Sequence, residues 1–205
     1  MSPDAGGPRR CLWAERSDWE RDYHDSEWGT PLHEDKKLFE FLLLEGAQAG
    51  LSWVTILKKR AAYQEAFEHF EPERVAAFGD AQVDRLMQNP GIIRNRLKIQ
   101  AAIKNARSFI NVVEAFGSFD SYVWRFVDGI PILGRWPDDA SVPVKSPESQ
   151  ALSLDLRQRG FGFCGPVICY SYMQAIGMVN DHTARCFRAP ALKDEFNTDN
   201  QQQGR

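Results

Sequence analysis

Apolar positions along the chain recur every three or four residues, the period of a helix with one face in a core. The densest run is Leu38–Trp53, LFEFLLLEGAQAGLSW, with Glu45 in its middle, and it reads as a buried helix. Beyond it Ala62, Tyr63, Ala66, Phe67 and Phe70 keep helical spacing, and Glu71-Pro72 starts a short helix carrying Val75. Asp80 is placed to cap a helix with Val83, Leu86 and Met87 inward, which Asn89-Pro90-Gly91 stops. A further helix runs from about Arg96 through Ile99, Ile103, Ala106, Ile110 and Val113; Phe119, Tyr122, Val123 and Phe126 mark another. Residues 128–147, rich in proline, read as a long connector. Ser146-Pro147 starts a helix that ends at Gly160, and Gly165-Pro166 opens the apolar VICYSYMQAIG, closed by Gly177. A short helix or turn follows around Asp181 to Phe187. Nothing alternates with period two for long, and no repeat recurs at fixed spacing. The expectation is an all-α chain: a flexible leader at 1–9, one helical domain at 10–188, and a disordered tail at 189–205.

Composition narrows this reading. The 205 residues, 43% hydrophobic with thirteen Phe and six Trp, suffice for one domain with a substantial core. No apolar run reaches the ~18 residues that cross a membrane, and the start, MSPDAGGPRR, is polar, so a cytoplasmic protein without membrane contact is expected. A net charge of −3 argues against bulk-charge coating of nucleic acid but permits a local basic patch. Four cysteines in a chain of this kind suggest core thiols or metal ligands rather than disulfides.

Three stretches carry candidate chemistry. Glu45 has no basic neighbour in sequence, and a buried unpaired carboxylate is costly. It lies either on the polar stripe of a core helix or at the floor of a pocket beside Trp53. Cys11 and His24, with twelve residues between them, and His182 and Cys186, at helical i, i+4 spacing, together offer a Cys₂His₂ set sufficient for a closed tetrahedral zinc. The same residues are also consistent with unrelated buried thiols and imidazoles. Finally, QNPGIIRNRLKIQ joins two helices by a short turn. Gly91 there would allow close backbone approach to a phosphate, with Arg94, Arg96 and Lys98 adding positive charge; the alternative is an ordinary helical corner with a solvated basic edge. The segment before the central helix is crowded with Trp13, Trp19, Tyr23 and Trp28, rings placed to fill core gaps or to enter a site.

Taken together, Cys11-Leu12-Trp13, Tyr23-His24-Asp25, Glu27-Trp28-Gly29, LEGAQAGLSWVTILKKR at 44–60, GIIRNRLKI at 91–99, RGFGFCGPVICYSYMQA at 159–175 and GMVNDHTARCFR at 177–188 resemble the DNA-3-methyladenine glycosylase I family. The resemblance implies the helix–hairpin–helix glycosylase fold, its N- and C-terminal segments tied by one structural zinc on Cys11, His24, His182 and Cys186. It also implies a base pocket at Glu45, Tyr23 and Trp53, with Trp13, Trp28, Tyr170 and Ser171 nearby. Residue 154 is Leu where relatives often carry lysine.

The reaction so implied is hydrolysis of the N-glycosidic bond of 3-methyladenine in double-stranded DNA by a monomeric, monofunctional enzyme, without a dedicated water-activating aspartate. The nucleotide would be flipped out, its cationic ring sandwiched by Trp53 and Tyr23 and its amino edge bound by Glu45, with Leu51 wedged into the duplex. Asp181 reads as the cap of a helix bearing His182. Three other readings remain open: a lesion-binding module that does not cut, a zinc hydrolase, and a same-fold glycosylase with another lesion preference.

Overall fold

The computed structural model describes residues 7–189. The leader and tail expected at 1–9 and 189–205 fall, apart from residues 7–9 and 189, outside that range.

The framework is helical: α1 (Asp18–Ser26), α2 (Asp35–Gln48), α3 (Trp53–Ala66), α4 (Pro72–Ala76), α5 (Asp80–Gln88), α6 (Arg96–Phe116), α7 (Phe119–Trp124), α8 (Pro147–Gln158) and α9 (Pro166–Ala175). α2 is central. Every residue from Leu38 to Ala47 is buried, so its apolar surface runs all round, as it must for a helix enclosed by α3, α6, α7 and α9. Phe39 meets Phe109 of α6 edge-on, and Phe109 stacks on Phe119 at the start of α7. Each such ring, fully buried, contributes about 1.5–3 kcal/mol. The first turn of α2 is tied to its neighbours: Asp35 accepts the Phe119 and Asp120 amides, and the Tyr172 hydroxyl donates to the Leu38 carbonyl. Among the described residues no helix is long and apolar enough to cross a membrane.

Four details differ from the sequence expectation. First, 18–26 is a helix, capped by Ser17, whose side chain bonds the Glu20 amide and carboxylate. Second, α3 ends at Ala66, and the chain turns through Glu68, His69 and Phe70 in the left-handed region before Glu71, held extended by the following Pro72, leads into α4. Third, the cap of α5 is Gly79, and Asp80 is its first helical residue.

The fourth concerns the connector, which is more than a link. Ile132–Leu133 (β1) pairs in parallel with Val179–Asn180 (β2), and Asp139–Ser141 forms a 3₁₀ turn. The predicted helix or turn at 181–187 is accordingly a strand exit followed by turns. His182 and Cys186 therefore converge through a loop and not along one helical face, and Asp181 caps no helix.

Candidate active site and metal-ligand cluster

A cavity of about 530 Å³ opens between α1, α2, the start of α3, α9 and the connector. This falls within the range of small-molecule sites. Its walls include Trp13, Tyr23, Trp28, Glu45, Trp53, Tyr170 and Ser171, so all seven base-pocket residues named from sequence line one space.

Glu45 belongs to the last full turn of α2 and is only 3% exposed. No hydrogen bond or ion pair reaches its carboxylate among the described residues. Burial alone pushes it up to about 8. Tyr23, also buried, is held above the usual phenol range first by burial and then by the nearby Glu45 and Glu27 charges. Trp53 is the first residue of α3, and its indole N–H has no partner among the described residues. Unpaired polar groups are rare in a folded interior and mark places where something else completes them.

The aromatic arrangement corrects one expectation. The Tyr23 and Trp53 ring centroids are 5.3 Å apart, tilted at 56°. A base held between two parallel rings needs about 7 Å, twice a close carbon contact, so the two rings do not form a ready sandwich. They form a corner instead, continued by Trp13, whose ring is 6.3 Å from Tyr23 and 5.0 Å edge-on from Trp28.

Several lining residues are not placed in the site by the sequence, which reads Asp181 as a helix cap. Asp181 is buried and accepts from the Tyr170 hydroxyl at 2.7 Å, the Gln174 amide at 2.8 Å and the Trp136 indole at 2.6 Å. Tyr170 and Gln174, at i, i+4 on α9, form a polar pair on an apolar helix that pointed to a shared partner. Asp139, from the connector, accepts the Trp13 amide at 2.8 Å. Glu20, Gln48 and Val142 also face the space. The signal for Glu20 was legible: Ser17-x-x-Glu20 is a capping box.

Next to the cavity Cys11, His24, His182 and Cys186, all buried, bring one ligand atom each to within 4.8 Å of one another, a group that could hold a metal ion. His24 Nε2 lies 3.2 Å from His182 Nδ1, and Cys186 Sγ lies 3.3 and 3.4 Å from those two nitrogens. Cys11 Sγ is 3.8 Å from His182 Nδ1. The outer nitrogens are already committed: His24 Nδ1 to Asp25 at 2.8 Å, and His182 Nε2 to the Trp28 carbonyl at 3.1 Å. Arg10 in turn clamps Asp25. Gly29, at φ +73°, makes room for His182, since a Cβ there would stand 2.9 Å from its Nε2. Backbone amides of Thr183 and Arg188 donate to the sulfurs of Cys11 and Cys186. The Cys186 thiol is drawn well below its usual range, first by its hydrogen bond with Cys11, against burial, and then by His182 and His24.

The turn between α5 and α6 places the DNA-contact candidates unequally. Arg94 is exposed and unpartnered among the described residues, while Arg96 is exposed and paired with Asp84 at 2.7 Å. Lys98 points inward instead. Its ammonium donates to the Ala47 and Ala49 carbonyls at 2.8 and 2.6 Å, capping the C-terminal end of α2. Gly91 is required by packing: a Cβ would lie 2.8 Å from that of Ala62, and its amide already donates to the Asn89 side chain. Leu51 is 40% exposed on the α2–α3 turn, between the lining residues Gln48 and Ser52.

A family model described as methyladenine glycosylase matches residues 13–189. The chain is 46% identical over 184 residues to DNA-3-methyladenine glycosylase 1 of Escherichia coli, covering 90% of this chain and 98% of that one. It is 45% identical over 177 residues to DNA-3-methyladenine glycosylase of Haemophilus influenzae, covering 86% and 96%. The structure of the Staphylococcus aureus 3-methyladenine DNA glycosylase I, solved to explain 3-methyladenine recognition, superposes with a TM-score of 0.86 at 38% identity, over 90% of this chain and 98% of that chain.

Proposed function

The chain belongs to the methyladenine glycosylase family, and on that premise we propose that Glu45 and the rings around it are where it acts on DNA. The protein is a glycosylase hydrolase that excises 3-methyladenine in base-excision repair. The observation that supports this siting best is a buried carboxylate without a counter-charge, facing an aromatic-walled cavity. A cationic base completes both features, because it supplies the missing positive charge and is attracted to the π faces.

3-Methyladenine in DNA carries a formal positive charge, and departure of the base neutralises it. The nucleotide leaves the stack and its base enters the cavity. Glu45 accepts from the exocyclic amine and stabilises the cationic ring, while Trp53 offers one face and Tyr23 and Trp13 the corner. A neutral adenine gains no charge interaction from Glu45. As the C1′–N9 bond breaks, its electron pair passes to N9 and the positive charge moves to the sugar. Water then bonds to C1′ and releases a proton to solvent, leaving an abasic site. Asp181 is engaged by three donors, so its role here is to hold Tyr170 and Gln174 in the wall.

Zinc is the ion the donor set fits. Around a tetrahedral zinc, N and S ligand atoms are spaced by about 3.3–3.8 Å; four of the pairs here lie 3.2–3.8 Å apart, and all lie within 4.8 Å. Each histidine also offers one nitrogen inward and binds its other nitrogen outward, the usual support for a metal ligand. Four protein ligands would leave no open position, so a bound ion would fasten the N-terminal segment to 182–186. A monomer acting on duplex DNA completes the proposal. Arg94, Arg96 and the α6 N-terminus are the proposed phosphate contacts of the hairpin, with Leu51 at the lesion gap.

The test is release of free base from methylated duplex DNA, identified by chromatography. Release of 3-methyladenine is expected; a folded protein that released none would overturn the reading.

A further inference from the structure

The cavity rim carries a feature that base recognition does not use. Of the side chains lining the cavity, Arg16 is the only cation, against four carboxylates at Glu20, Glu45, Asp139 and Asp181. Electrostatic self-consistency would pair it with one of them, yet it makes no hydrogen bond or ion pair among the described residues. Its acidic neighbours are occupied otherwise: Glu20 by the Ser17 hydroxyl at 2.8 Å, and Asp139 by the Trp13 amide at 2.8 Å. Arg16 ends the 3₁₀ helix Leu12–Arg16. At three residues per turn, Trp13 and Arg16 lie on one face, so the face that presents an aromatic wall to the cavity also presents the guanidinium. Arg16 is exposed, as are Val144 and Val167, which line the same mouth at 68% and 52% exposure.

We propose that Arg16 binds the DNA phosphate next to the extruded nucleotide. The inference rests on the cavity being the base site. When a base fills the cavity, its sugar crosses the mouth and its flanking phosphates lie at the rim. Val144 and Val167 match the sugar, and an unpaired guanidinium matches a phosphate, which it can bind by two parallel hydrogen bonds. This contact would hold the extruded state without reading sequence. It also places the one lining cation among the described residues on a cavity whose other charged groups are acids.

The test compares the parent with Arg16→Ala and Arg16→Lys, using two probes. One is a duplex carrying a tetrahydrofuran abasic analogue, titrated over a range of salt; the other is free 3-methyladenine base, followed by tryptophan fluorescence. Arg16→Ala should weaken duplex binding about threefold to tenfold and lower the salt slope by about one, as expected for one lost phosphate contact. Affinity for the free base, which has no phosphate, should stay at the parental value, and Arg16→Lys should recover part of the duplex affinity. Unchanged duplex binding and slope in Arg16→Ala would overturn the proposal. So would an equal loss with both probes, which would mean that Arg16 shapes the cavity. If the parent binds no free base at all, the cavity assignment itself fails, an outcome distinct from either.

Discussion

Two polar centres stand side by side in this protein and are built on opposite rules. Consecutive residues feed both: Tyr23 faces the cavity and His24 the metal-ligand cluster, and Asp181 and His182 divide in the same way. In the cluster every ligand has an outer partner, down to the Arg10 clamp on Asp25. In the cavity Glu45 and the Trp53 indole have none. A satisfied buried network rigidifies its surroundings, whereas an unsatisfied group costs stability until a ligand completes it. On the proposed reading, the difference separates a centre that holds the fold from one that waits for a substrate.

The largest effect should come from breaking the satisfied centre. Cys186→Ser, or prolonged chelation, removes a link whose metal-binding free energy is on the order of 10 kcal/mol. The expected outcome, read by circular dichroism and thermal melting, is loss of the cooperative transition. An unaltered melt with no zinc found in the purified protein would refute the metal tie.

Breaking the unsatisfied centre should do the reverse. Glu45→Gln should lower the rate of 3-methyladenine release on the order of 100-fold and yet stabilise the protein. Burial pushes the Glu45 carboxyl up to about 8, from an ordinary value of 4.5. Between those values the native state binds the extra proton, so stability falls as pH rises through the window. Glu45→Gln should therefore gain about 2–4 kcal/mol over the parent at pH 8 and little near pH 4. Activity runs the other way in the parent: kcat/KM should climb toward pH 8 as the free enzyme's carboxylate ionises, and lose that climb in the variant. Equal stabilities of the two proteins at pH 8 would mean that Glu45 is not strained.

The smallest effect sharpens the comparison between hairpin and helix. Lys98→Ala should cost about 1–2 kcal/mol in denaturant unfolding, by freeing two carbonyls at the end of α2. Its duplex salt slope should match the parent; a slope lower by one would restore Lys98 as a phosphate contact.

The sequence displayed the helices well because α6 keeps a helical period along its length, while α2 and α9 are mostly apolar runs of ten residues or more. Even there, only a local signal was visible. The Ser17-x-x-Glu20 box announced α1, but dense charge hid its apolar stripe. The i, i+4 spacing of His182 and Cys186 suggested a helix where pairing of 179–180 with 132–133 imposes a strand exit. Likewise Lys98 looked like surface charge because its acceptors, Ala47 and Ala49, lie about fifty residues away in sequence. The cavity's connector wall was hidden for the same reason, since Asp139 meets Trp13 across 126 positions.

Burial of the thiols has one more consequence. Agents that methylate adenine also attack sulfur nucleophiles, and thiolates react far faster than thiols. All four cysteines are buried, with Cys11 and Cys186 at 1% exposure. An enzyme that must work during an alkylating assault thus keeps its own most vulnerable atoms away from the reagent, while the residues it offers to solvent at the cavity mouth are slow to react. The protein is armoured against the poison whose damage it repairs.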